Sequence, residues 1–353
     1  SFVSNCTSVH IRDASIYWPA IFSSINPKHT KTSLIQLLNR CKNFLFHEKD
    51  EKGKSFIILR IANTMKNLIK GLQNRIFVEH KQHYKNIPSE ILLFSSIWSF
   101  GVEALIGGFK NPMEVESFFC DIAKEMKVFF PKRCGIFDVQ IDFNTKLFTP
   151  WSIAGTINTL KGLQIRRLSF VSSLLLSSNV NVCVVDPGVI NVTQQCPELN
   201  NTLMKLDITA FSTQSPLSFH QKVLPLLEKE NRRRYRPKKI NAKLLIVIDD
   251  VNMPSTNNKK HLEHSRSYAD HSGWWFPNGK WYTVDDIIFS ISCSSAKISS
   301  DENGALNRRV KNFALLLNER VVLESAAINT FQAKLVRLCM NAKANDEVRN
   351  LSN

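Results

Sequence analysis

The sequence predicts an α/β chain: a parallel sheet with helices on both faces, preceded by an all-helical block and followed by the start of another. Three observations predict it. From about Pro131 onward, short apolar runs alternate with helical stretches, the pattern of a parallel sheet. Two of those runs, "VNVCVVD" and "KLLIVIDD", are apolar without alternation, as strands covered on both faces are. Before Pro131, apolar residues recur at three-to-four spacing instead.

The first twelve residues, with "SVHIR", read as the tail of a strand. "TSLIQLLNRCKNFLF" (Thr32–Phe46) is an amphipathic helix behind a Thr/Ser cap. "SFIILRIANTMKNLIKGLQNRIF" (Ser55–Phe77) is a second, and the polar "VEHKQHYKNIPSE" separates it from Ile91–Phe109. That third stretch, "ILLFSSIWSFGVEALIGGF", has about the length of a membrane span. It also holds Glu103 and several small polar residues, and its basic flanks are only Lys85 and Lys110, so it reads as a buried core helix. "PMEVESFFCDIAKEMKVFF" starts with Pro112 at a first-turn position. Then "GIFDVQIDF" alternates like a strand, Ile165–Ser178 is helical, and "VNVCVVD" and "LMKLDITAF" are strands. "FHQKVLPLLEKENRRR" reads as a helix, "KLLIVIDD" as a buried strand, Lys260–Tyr268 as a helix and "DDIIFSISC" as a strand. From about Leu323 the pattern turns helical again. The expected organisation is 1–12, 13–130, 131–322 and 323–353.

Composition sets limits. The chain has 353 residues, 43% hydrophobic and 22% charged, ordinary for globular protein. It opens at Ser1 with no initiator Met and no leader pattern, so a segment of a longer polypeptide is expected. The net charge of +16 invites an acidic partner, nucleic acid or a tubulin surface. The charge is widely spread, however, and its one dense run, "RRRYRPKK" (Arg232–Lys239), reads as a solvated loop. Eight cysteines show neither a C-x-x-C pair nor zinc spacing with His, which points to reduced, mostly buried thiols in an intracellular chain. His261, His264 and His271 are spaced irregularly, with nothing to complete a metal shell. Trp274, Trp275 and Trp281 read as packing residues.

The chemistry lies around "KLLIVIDDVNMP" (Lys243–Pro254). A buried strand delivering two acids, Asp249 and Asp250, to its carboxyl edge is how a nucleotide-hydrolysing strand ends. Its partner, one strand upstream, has the form G-x-x-x-x-G-K-[ST]. "GKS" at Gly53–Ser55 matches only the tail of that pattern, behind "HEKDEK", where a strand belongs. The position after "VNVCVV" reads Asp186, Pro187, Gly188, Val189, Ile190, Asn191, Val192, Thr193. Val192 stands where a lysine meets the β- and γ-phosphates, a charge-assisted contact worth about 1.5–3 kcal/mol. β-Branched Val189 and Ile190 resist the backbone angles of a phosphate nest. Asp186 adds a like charge. Only Thr193 keeps a suitable side chain, a hydroxyl on the Mg²⁺ side.

These motifs resemble those of dynein heavy chains. "LLIVIDDVNMP" resembles the acidic strand of the third AAA+ module, F-I-D-D-L-N-M-P. "LLFSSIWSFG" (Leu92–Gly101) is similar to the Trp-bearing F-S-L-I-W-S-x-G helix that ends the second module. "FDVQIDFNTKLFTPW", "LSFVSSLLLSSNVNVCVV", "FSTQS" (Phe211–Ser215), "ADHSGWW" (Ala269–Trp275) and "FVSNCTSV" fall in the family's order over nearly the whole chain, and "RRRYRPKK" takes the place of its basic loop. The resemblance implies an AAA+ P-loop-type sheet. Residues 1–12 would end the second large subdomain, 13–130 its helical lid and connector, 131–322 the third large subdomain, and 323–353 the start of the third lid.

It further implies an ATP-driven microtubule motor of the cytoplasm, cytoskeleton or ciliary axoneme. Its partners would be the neighbouring AAA+ modules, microtubules, and dynein light and intermediate chains, with neither membrane nor nucleic acid. ATP or ADP with Mg²⁺ is the implied cofactor. Asp249 supports Mg²⁺ in the family together with the Thr193 hydroxyl, and Asp250 takes the place of the catalytic base. Without the lysine, both acids read as strand-end caps. "CSSAKISSDENG" replaces the family's glycine-rich G-P-P-G-G-G-R, and Asn5 replaces an arginine. In "LNRRVKNF", Arg308 takes the position of a trans-acting arginine, with a surface arginine as the alternative. The expectation is a structural or regulatory module with a defunct ATP site. The alternatives are a working ATPase with an atypical loop, in which Asn191 or Gln194 replaces the lysine, or a basic nucleic-acid- or tubulin-binding module.

Overall fold

The computed structural model describes residues 21–22, 30–46, 55–80, 87–132, 134–151, 160–185, 203–209, 216–239, 242–249, 260–293 and 312–317. All of these belong to one compact unit, Ser1–Leu317. The expected strand tail in 1–12 and the helical stretch from Leu323 lie outside the described residues.

The helical block forms as its periodicity predicts. α1 (Thr30–Leu45) buries Leu34, Leu38, Cys41 and Leu45. α2 (Ser55–His80) buries Ile58, Ile61, Met65, Leu68, Leu72 and Ile76, the stripe of a helix with one covered face. The apolar third stretch runs through α3 (Ser89–Ser96), a π-helical turn (Ile97–Gly101) and α4 (Val102–Ile106). Its residues Ser89–Ile106 have a mean hydropathy of 1.4 and are 83% buried, so this is the core helix of the block. Glu103 survives there because Arg60 of α2 grips it through two hydrogen bonds, Nε to Oε1 at 2.6 Å and Nη2 to Oε2 at 2.9 Å. α5 (Pro112–Glu125) begins with the expected proline at its first turn. Asn111 and Glu114 cap it reciprocally: Asn111 Oδ1 accepts from the Glu114 N–H, and Glu114 Oε2 accepts from the Asn111 N–H.

A short antiparallel hairpin, β1 (Val139–Ile141) with β2 (Phe148–Pro150), leads into the α/β part. The chain continues through α6 (Leu160–Ser177), β3 (Val182–Val185), β4 (Leu203–Thr209), α7 (Pro216–Val223), β5 (Leu227–Asn231), β6 (Arg234–Pro237) and β7 (Lys243–Asp249). The order closes with α8 (Lys260–His271), β8 (Gly273–Trp275), β9 (Trp281–Val284), β10 (Ile287–Cys293) and β11 (Ala314–Leu317). Five strands form one sheet in the order β11-β3-β10-β7-β4, every pair parallel. The other four form a smaller sheet, β5-β6-β9-β8.

One expectation is corrected. "FHQKVLPLLEKENRRR" is helical only to Val223, with a 3₁₀ turn over Leu224–Leu226. Pro225 has no N–H to continue an α-helix. The chain then enters the β5–β6 hairpin, so the basic run is a turn and a strand rather than a loop. The apolar spacing that suggested a helix serves the hairpin instead: Leu227 and Pro237 are buried opposite each other, and Tyr235 stacks on Phe276 at 4.8 Å.

The helical block meets the sheet-bearing part through α6 and edge strand β11, against which α2 and α4 pack. Phe170 of α6 is the centre of the joint. Phe94 and Trp151 approach it edge-on at 6.2 and 5.3 Å, and the Arg75 guanidinium lies 5.1 Å from its ring centre. The α2–α6 crossing depends on Gly71: a Cβ there would stand 2.9 Å from the Leu174 carbonyl oxygen. Gly71→Ala is therefore expected to lower the urea midpoint, by about 1–3 kcal/mol of overpacking, although alanine is the better helix former. An unchanged or higher midpoint would show that the helices yield freely.

Candidate nucleotide-binding edge

In an open parallel sheet, ligands bind beyond the carboxyl ends of the strands where the winding reverses. Here the chain winds from β3 through β4, β7 and β10 on one side, then crosses to β11 on the other. The switch point is the end of β3. Asp186, the first residue of the would-be phosphate loop, comes directly after Val185. Asp249 ends β7, and Asp250 comes next. β10 lies between the two strands: its Ile291 pairs with Cys183 on one side and Ile248 on the other. The exits of β3 and β7 thus share one edge at nearly one level, two strand spacings or about 10 Å apart. This brings Val185 and Asp249, the last residues of β3 and β7, to one edge of the sheet. Asp186, Pro187, Gly188, Val189, Ile190, Asn191, Val192, Thr193, Asp250 and Arg308 lie outside the described residues, as do Asn5, Gln194 and "FSTQS".

Residues not singled out by motif hold this edge from the opposite end of the strands. Asn181, just before β3, accepts the Phe289 N–H of β10 on Oδ1 at 2.9 Å, and its backbone carbonyl accepts the Ala314 N–H of β11 at 2.8 Å. It therefore ties the switch-point strand to both neighbours. The Asp286 carbonyl accepts the Leu244 N–H at 2.8 Å, and Tyr268 Oη accepts the Ile287 N–H at 3.0 Å. Burial pushes the Tyr268 hydroxyl up to about 12, so it stays protonated. The only sequence signal for Asn181 is an amide inside an otherwise apolar run. Cys183 and Cys293, on β3 and β10, are buried thiols with their sulfurs 3.4 Å apart, as the cysteine pattern leads one to expect.

The smaller sheet stands at the other end, on the connections that enter β7 and β10. The basic hairpin there is partly neutralised: Arg236 bonds Glu228 Oε1 at 2.8 Å, and Arg234 approaches Asp285 at 3.2 Å. The helix-borne histidines part company. His271 approaches Trp281 edge-on at 6.1 Å, while His264 turns inward and meets His220 of α7, Nε2 to Nε2 at 3.3 Å. Phe219, Trp274 and Phe276 surround that pair. Among the described residues no three acids, cysteines or histidines gather as a metal site. Trp274 is a packing residue, as expected; Trp275 is 62% exposed.

The all-parallel order β11-β3-β10-β7-β4, whose winding reverses at β3, is that of a P-loop-type AAA+ module behind a helical lid. Family models bear this out: a P-loop containing dynein motor region matches residues 159–318, and a dynein heavy chain AAA lid domain matches residues 32–153. The chain belongs to the dynein heavy chain family. The first match begins one residue before α6 and ends one residue after β11; the second runs from α1 past β2. No curated protein matches the chain.

The strand ties and the buried histidine pair can each be tested. Asn181→Leu leaves the Phe289 N–H without its acceptor at the head of β3 and is expected to cost about 1–3 kcal/mol in urea unfolding. A neutral substitution would show that Asn181 does not set the strand's position. Burial holds the His220 imidazole below its usual range, with the Trp275 backbone pulling the other way. Its neutral form is therefore favoured in the fold, and the unfolded chain takes up protons first. Stability is full above the unfolded value of about 6.5 and falls as pH drops through it toward the folded value. The melting temperature should fall between about pH 7.5 and 5.5, and His220→Phe should flatten that slope. An equal slope in the variant would place the titration elsewhere.

Proposed function

We propose that the chain serves a microtubule motor as a structural and regulatory AAA+ module that does not hydrolyse ATP. The observation that carries the reading is one residue at one place. At the switch point, where a loop must supply a lysine to phosphate, the sequence supplies Val192. The Asp186–Thr193 segment offers the Thr193 hydroxyl to Mg²⁺ but neither the lysine nor the glycines that turn backbone N–H groups toward a triphosphate. It therefore does not fit ATP as a working loop does. Asp249 and Asp250 then act as polar ends to a buried strand, and the sheet is kept for its shape.

In this role the module binds its neighbours in the same chain, and the full-length motor engages microtubules and its light and intermediate chains. Its place is the cytoskeleton, in cytoplasm or in the axoneme of a cilium. Arg308, at the position of the family's trans-acting arginine, would face the adjoining module.

Titration of the protein with a fluorescent ATP analogue and Mg²⁺, alongside an ATP turnover assay, tests the proposal. No saturable binding up to millimolar analogue and no turnover are expected. Turnover abolished by Asp250→Asn would overturn it, and would mean that Asn191 or Gln194 replaces the lysine. Micromolar binding without turnover would make the module a nucleotide-held regulator.

A further inference from the structure

The β5–β6 hairpin carries more positive charge than the fold uses. From Glu228 to Lys239 the chain has seven basic and two acidic side chains, and all seven basic residues are exposed. Both acids are already engaged. Glu228 accepts from Arg236 Nε at 2.8 Å, and Glu230 lies 3.6 Å from Arg236 and 3.8 Å from Arg234. Arg234 also meets Asp285 at 3.2 Å. The other five basic side chains, Lys229, Arg232, Arg233, Lys238 and Lys239, have no ion pair or hydrogen bond among the described residues.

Four of these cations sit on a fixed backbone, in two groups. Arg232 and Arg233 form the turn. The Arg233 N–H donates to Asn231 Oδ1 at 3.0 Å, and the Arg233 carbonyl accepts the Thr283 N–H and hydroxyl of β9 at 3.0 and 3.1 Å. Lys238 and Lys239 follow β6 at its other end, where the Lys238 N–H donates to the Leu226 carbonyl at 2.9 Å. Arg233 and Lys238 are five residues apart along an extended strand, about 17 Å. The hairpin is packed through Leu227, Pro237 and Tyr235, so the cations do not hold it together. Like charges gathered on such a frame repel one another, and a partner's negative charge relieves that repulsion.

We propose that the hairpin docks an acidic, extended segment of a partner protein. Its carboxylates meet Arg232 and Arg233 at the turn and Lys238 and Lys239 at the far end of β6. Guanidinium forks suit carboxylates at two points of contact. The charge pattern favours a peptide over nucleic acid. Between the two groups stand the carboxylates of Glu228 and Glu230, with side chains 39% and 36% exposed. A continuous polyanion would lay like charge over them. A peptide can place its acids at both ends and neutral residues between. The net charge of +16 helps to draw such a segment in. The proposal is independent of whether nucleotide binds beyond β3.

Fluorescence polarisation at low salt tests this on the whole chain. The probe is a labelled peptide of two glutamates, four glycine or serine residues and two more glutamates. Its counterpart has glutamine in place of every glutamate. Saturable binding of the acidic peptide is expected, with binding of the neutral one weaker by about tenfold or more. Arg232→Gln with Arg233→Gln, and Lys238→Gln with Lys239→Gln, should each weaken binding about fivefold. Lys127→Gln with Lys132→Gln removes the same charge from exposed sites outside the hairpin and should leave affinity unchanged. Equal affinity for the two peptides would overturn the proposal, as would an equal loss in the Lys127 and Lys132 variant. So would no saturable binding by millimolar peptide. A short DNA duplex bound more tightly than the acidic peptide, through the same arginines, would replace it with a nucleic-acid surface.

Discussion

The structure depends on one constraint: a parallel sheet must be covered on both faces, because its crossover helices lie on them. β3, β7, β10 and β11 carry almost nothing but buried apolar side chains along their lengths. Such strands cannot stand at a free surface. α8 covers one region through Tyr268, whose ring meets Phe289 of β10 at 5.6 Å. The lid covers another, laying α2 and α4 against β11, the edge strand of the large sheet. A sheet edge is a hazard when bare. Here the preceding lid and the sheet-bearing module are parts of one core, and a change at their joint is felt by both.

That joint explains why the lid's central helix is so apolar. Ser89–Ile106 has the composition of a membrane span, yet it is buried in protein. A helix packed by neighbours all round reads the same as one surrounded by lipid. The discriminating residue is Glu103. Its charge is tolerated because Arg60 meets both carboxylate oxygens in the same interior, an arrangement whose main energetic meaning is the penalty for removing one partner.

Much of this was legible in the sequence. The strands β3, β4, β7 and β10 and the helices α1, α2, α5, α6 and α8 fall where periodicity and caps place them, because those signals are local. The β5–β6 hairpin was not legible. Leu224 and Leu227 sit at helical spacing, and charged residues on both sides obscure the alternation; the pairing is fixed by Tyr235 reaching Phe276 and Tyr282, far along the chain. The roles of Asn181, His220 and Gly71 were equally hidden. Each acts through a partner distant in the chain: Phe289 and Ala314, His264, and Leu174. For the candidate site, the acids and the loop position were readable as a motif, but the common edge of the β3 and β7 exits came only with the order of the strands.

The same strand order separates what aligns the strands from the edge proposed for nucleotide. Among the described residues, side-chain and turn ties that align the strands sit at their entrances, opposite the exits of β3 and β7. Asn181 aligns β3 with β10 and β11; the Asp286 carbonyl and the Tyr268 hydroxyl anchor β7 and β10. The register Cys183–Ile291–Ile248 is thus held from the end of the strands opposite that edge. On the proposed reading, the contacts that hold the register and the edge that would face nucleotide lie at opposite ends of the same strands, so a change in the loop need not disturb the register.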